Sequence, residues 1–224
     1  MFVGARSAHN SSMVPRPLSN AMQSLEPTMF AAPVEASPPA PRPLVDEHLF
    51  AARTVFLFGE IDMALARRVS SELFALASVS SAPIRIVLNS PGGHVEAGDT
   101  MHDVIRFIEP EVRILGTGWV ASAGALVYAA AERRNRFALP NTRFLLHQPL
   151  GGVGGPASDI EIEARQITQM RERLNRLFAS ATGQSLTKLE KDTDRNHWMS
   201  AAEVLEYGLV GRIVAGGRQG GKVR

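Results

Sequence analysis

Three short stretches hold the residue types that could do chemistry. In GWVASAGALVYAAA (118–131) one hydroxyl, Ser122, stands among alanines, glycines and aliphatics. Such a serine is either a helix N-cap, bonding an orphan backbone N–H, or a nucleophile held at a helix start, where free N–H groups favour negative charge. In RFLLHQPLGG (143–152), His147 closes an apolar run before a proline. There it serves either as a hydrogen-bonded structural residue or, with an ordinary pKa of about 6.5, as a general base suited to neutral pH. In IRIVLNSPGG (84–93) two glycines follow a strand-like run. Alone, SPGG is a turn; its backbone N–H groups could also face a developing oxyanion. The serine does not sit in a G-x-S-x-G elbow, because Val120 holds the first glycine position. His9, His48, His94, His102 and His197 lack a comparable setting and read as surface or structural.

The elements that must position these groups alternate. TVFLFG (54–59), IRIVLN (84–89) and VRILGTG (112–118) read as buried strands, followed by helices over 63–78, 95–108 and 121–132. RFAL (136–139) and RFLLHQ (143–148) read as strands, 200–208 as a helix and LVGRIV (209–214) as a last strand. Strand–helix repeats of this kind predict an α/β fold with right-handed crossovers. A long helix is expected over 158–183, with a Ser158-x-x-Glu161 capping box and Gly183 at its end. Ile160, Ile162, Ile167, Met170, Leu174, Leu177 and Phe178 form its apolar seam. After the glycine-rich GGVGG (151–155) it either projects to pack on another subunit or lies over the sheet.

Composition narrows the classes. The chain has 224 residues, 45% hydrophobic and 21% charged, enough for one medium domain with a tail. A net charge of +2 without a basic cluster gives no nucleic-acid footprint. With no cysteine, disulfides, thiolate catalysis and Cys-ligated metals are excluded. No apolar run reaches about 18 residues, so no transmembrane helix is expected, and no secretory signal is evident. Eight of the fourteen prolines lie within 1–45. That segment is expected to be a disordered or processed leader, 46–215 the folded domain, and 216–224 a flexible tail.

In order, NSPGG, ASAGA, LLHQPLGG, ASDIEIEAR, TGQSL and DTDRNHWMSAAEVLEYGLV resemble the proteolytic subunit of the Clp protease (ClpP) over about residues 54–214. The resemblance implies a serine peptidase on a crotonase-like α/β fold of stacked βαβ units. It implies two stacked seven-subunit rings joined by the long helix as a handle, with GGVGG as the strand lining the substrate groove. By motif, Ser122 matches the nucleophile, His147 the general base, and the N–H groups of Gly93 and Ala123 the oxyanion hole. No cofactor or metal is implied for this chain: ATP belongs to a partner AAA+ Clp ATPase that feeds unfolded polypeptides, since no P-loop is present. The expected compartment is the cytoplasm, with an organelle matrix as the alternative.

Two places depart from the family. Where it carries the aspartate of the triad, DTDRNHW (192–198) places Asn196. In chymotrypsin-type triads that exchange keeps the geometry and lowers turnover about ten-thousandfold. Three readings follow: Asn196 orients His147 in a weakened peptidase, Asp194 acts as surrogate, or the chain is a silent ring subunit with a structural role. The second departure is PRPLVDEHLFAARTVFL (41–57), in place of an axial loop and a Tyr/Ser-bearing stretch. Outer pockets that receive ATPase loops are usually aromatic in the family, whereas the strand before NSPGG offers Arg85 and Val87. An acyl-CoA hydratase chemistry on the same fold would use carboxylate acid/base residues, whereas here a Ser and a His stand at the site and no Glu pair follows the glycine turn.

Overall fold

The computed structural model describes residues 44–152 and 154–216. The segment up to residue 43, expected to be a leader, and the segment from 217, expected to be a tail, lie outside the described residues. Leu44 and Val45, assigned above to the leader, instead open a helix, α1 (Leu44–Ala51). It was missed because LVDEHLFA is short and buries no residue, leaving no amphipathic stripe to read.

Five parallel strands build the main sheet: β1 (Thr54–Phe58), β2 (Ile84–Ser90), β3 (Val112–Ala121), β4 (Arg136–Ala138) and β7 (Arg212–Ile213), in the order β1-β2-β3-β4-β7. Helices α2 (Met63–Val79), α3 (Val95–Phe107) and α4 (Ala123–Ala129) return the chain between strands. A 3-10 turn, Arg133–Asn135, leads into β4. Alternate strand residues Val55, Leu57, Ile84, Ile86, Leu88 and Ile114 are buried in the core. Each such side chain contributes about 1.5–3 kcal/mol by leaving water. The opposite face stays open, with Phe56 38% and Phe58 46% exposed. The continuous apolar run TVFLF therefore does not mark a strand buried on both faces; an apolar run cannot reveal that one layer is missing.

β3 is the pivot of the site. Its first half pairs with β4 and its second half, Trp119–Ala121, with β5 (Arg143–Leu146). The strand expected to stop at 118 continues because Gly118 turns through φ +60°, close against the Asn89 amide, whose Oδ1 accepts from Trp119 N at 3.3 Å. β5 then pairs antiparallel with β6 (His197–Ser200).

The long helix is α5 (Ala157–Thr182), closed by Gly183 in the left-handed region at φ +79°. Its N-cap is Pro156 with no side-chain bond, so the expected Ser158–Glu161 capping box is absent; Ser158 lies inside the first turn. A capping box does form at Ser200–Glu203, opening α7 (Ala201–Tyr207). Between them α6 (Leu186–Asp192) is capped by Ser185. Residues 157–166 of α5 are exposed all round, Ile160 and Ile162 included, while Leu174 and Phe178 are buried. The seam thus packs only along its second half, and the first half protrudes. Of GGVGG, the described glycines form no strand, and an added Cβ would meet nothing within 4 Å at Gly152 or Gly154. A strand there needs a partner that the described residues do not supply. Among the described residues no helix is long and apolar enough to cross a membrane.

Candidate active site

Ser122 occupies the N-cap position of α4, yet its side chain makes no cap bond. Its backbone sits at φ +53°, a region that costs a non-glycine residue on the order of 1–3 kcal/mol. Neighbours on both sides enforce it. Ser122 N donates to Leu145 O at 2.9 Å, extending the β3–β5 ladder, and Ser122 O accepts from Ala125 N and Leu126 N. Among the described residues the hydroxyl itself has no hydrogen-bond partner. A strained serine whose hydroxyl does not cap its helix is better explained by reactivity than by stability.

The glycine turn is fitted around this serine. A Cβ on Gly92 would lie 2.6 Å from Ser122 Cβ and 3.2 Å from its Oγ. Ser90, fully buried, accepts from Gly92 N through its hydroxyl at 3.0 Å and shapes the turn. Gly93 is bridged to Ile61: Ile61 N donates to Gly92 O and His94 N to Ile61 O, each at 2.8 Å. A Cβ on Gly93 would fall 2.2 Å from Ile61 O. The N–H groups of Gly93 and Ala123 donate to no acceptor among the described residues. Gly92 was marked in the sequence by the doubled glycine of SPGG, whereas nothing local could mark the parts played by Ser90 and Ile61.

His147 follows the last residue of β5. Leu146–His197 is the last pair of the β5–β6 ladder, so His147 stands where the two strands part. The loop is held there by Gln148, whose N donates to Thr193 O and whose Nε2 donates to Asp194 O, both at 2.6 Å. Thr193 is buried and donates to Asn175 Oδ1 on α5 at 2.9 Å. The half-buried His147 imidazole is pushed below its ordinary pKa by loss of solvent, so it is neutral at pH 7 and able to take a proton. Asn196 is exposed, and its amide has no hydrogen-bond partner among the described residues. The Asp194 carboxylate is engaged by Arg171 at 3.1 Å.

A model of the Clp protease family matches residues 44–217. The chain belongs to the Clp protease family. It is 60% identical over 169 residues to ATP-dependent Clp protease proteolytic subunit 3 of Rhizobium johnstonii, covering 75% of this chain and 87% of that protein. It is 54% identical over 173 residues to proteolytic subunit 2 of Pseudomonas aeruginosa, covering 77% and 86%. Among solved structures, ClpP1 from Listeria monocytogenes superposes with a TM-score of 0.71 at 51% identity, covering 79% of this chain and 99% of that one. An asparagine-to-aspartate mutant of that ClpP1 gives 0.73 at 52%, covering 78% and 98%. The α/β fold with a projecting helix is therefore that of ClpP, and the chain is a Clp-type serine endopeptidase subunit that needs no cofactor of its own. Subunits of this family form rings and work with Clp ATPases.

Proposed function

We propose that Ser122 is the nucleophile, His147 its general base, and Asn196 the group that orients the imidazole. His147 Nε2 takes the Ser122 hydroxyl proton as Oγ attacks the scissile carbonyl carbon. The tetrahedral oxyanion is stabilised by the N–H groups of Gly93 and Ala123. The imidazolium then gives its proton to the leaving amine. Water deacylates the serine by the same steps in reverse. Asn196 Oδ1 accepts from Nδ1–H and fixes the tautomer without supplying a negative charge, which makes the peptidase slower than one with an aspartate. Substrates are unfolded polypeptides delivered by an AAA+ Clp ATPase into two stacked seven-subunit rings.

The observation that carries this reading is the strained, positive-φ Ser122, which does not cap its helix, beside two N–H groups that find no acceptor among the described residues. A second reading, a silent subunit that completes a ring with an active paralogue, draws on the exposed Asn196. Labelling of the assembled protein with a fluorophosphonate, followed by mass spectrometry, separates them. An adduct on Ser122 establishes the peptidase; no adduct on a protein that forms rings makes it a scaffold.

A further inference from the structure

A cleft of about 570 Å³ lies away from Ser122, walled by α3, the end of α4, the 3-10 turn and the C-terminal turn of α5. Arg136 forms part of its wall with only 3% of the residue exposed. Its Nη2 donates to Ala181 O at 2.7 Å, at the end of α5. Its Nε and Nη1 are buried and have no hydrogen-bond partner among the described residues. Burial pulls the guanidinium down to about 10, still charged at neutral pH. A buried cation with unmet donors costs several kcal/mol unless an anion or acceptor meets it.

The rest of the cleft has the charge to meet that need with a ligand. His102, Arg106 and Arg133 also line it, and Glu132 is its single acid. Glu132 is already paired with Arg134 at 2.7 Å, while no ion pair among the described residues engages Arg106 or Arg133. Three arginines thus line a hollow with one carboxylate, already paired. We propose that this cleft binds a phosphate-sized oxyanion, with Arg136 at its inner wall and Arg106 and Arg133 at its mouth. A doubly charged tetrahedral anion suits three guanidiniums better than a single carboxylate does, because each can take a separate oxygen. The proposal requires the Arg136 guanidinium to turn so that Nη1, buried here, faces the ligand while Nη2 keeps Ala181. None of these residues belongs to the site around Ser122.

The test is calorimetric titration of the full-length protein with sodium phosphate at constant ionic strength, with sodium acetate in parallel. Saturable phosphate binding with one site per subunit is expected, at least tenfold tighter than acetate. The Arg106→Ser/Arg133→Ser double variant changes only exposed side chains, so it folds, retains peptide hydrolysis and binds phosphate at least tenfold more weakly. Arg136→Lys keeps the charge and loses the planar donors, and it too is expected to weaken phosphate binding. No saturable phosphate heat in the wild type overturns the proposal. So does equal affinity in the double variant, and acetate as tight as phosphate overturns the choice of ligand.

Discussion

The acceptor that faces an imidazole Nδ1–H decides two separate things, its tautomer and the stability of the imidazolium. Asn196 can do the first and not the second, so Asn196→Asp should raise kcat on a fluorogenic peptide at least tenfold with little change in KM. An unchanged kcat would reject the missing charge as the limit on turnover. Asp194→Ala should alter kcat no more than about twofold, since the Asp194 carboxylate is engaged by Arg171 and a pair this exposed is worth little. A large loss would make Asp194 the surrogate third member. The base itself has a lowered pKa through burial. His147 must be neutral to accept the serine proton, so activity falls only when pH drops through that lowered value. The acid limb of kcat/KM should therefore lie below 6.5, and a limb above it would assign the limb to another group. Ser122 and His147 were legible as candidates because their types are rare in their apolar settings. Ile61 was not, because its part lies in contacts made across the fold.

At the scale of elements, the turn after β2 and the start of α4 are one unit built on glycine. Gly93→Ala meets Ile61 O at 2.2 Å with φ +145°, combining a backbone clash with a conformation L-residues avoid. Its cost should be on the order of 3 kcal/mol or more in urea unfolding, with activity lost. Gly152→Ala, with nothing within 4 Å, is the control and should leave stability unchanged within about 0.5 kcal/mol. Wild-type stability for Gly93→Ala would mean that the turn relaxes away from Ile61. The same scale explains the misplaced cap. Ser158-x-x-Glu161 and Ser200-x-x-Glu203 have the same signature, but only Ser200 ends a strand whose extended backbone leaves its hydroxyl facing Glu203 N. After Pro156 the chain is already helical at Ser158.

For the whole molecule, an isolated subunit leaves apolar surface unexplained. Ile160 and Ile162 are 41% and 49% exposed on the protruding half of α5. If this helix joins two rings, Ile160→Ser/Ile162→Ser should halve the particle mass in analytical ultracentrifugation and leave the unfolding transition of the subunit in place. An unchanged mass would remove these two side chains from the ring–ring contact.

Whereas α1, α6 and β6 were not read, the strand–helix alternation from β1 to β5, the position of the serine at a strand-to-helix turn, and the end of α5 at Gly183 all came from local signals: periodicity, turn residues and a left-handed cap. They are local because each is set by backbone sterics or by which face of one element is apolar. The split of β3 between two partners, the open face of β1, the projection of α5 and the β5–β6 pairing that brings the chain after His147 to Thr193 were decided only in three dimensions. Each depends on which distant segment supplies the hydrogen bonds or the covering layer, and the same apolar run satisfies either outcome until that partner is in place.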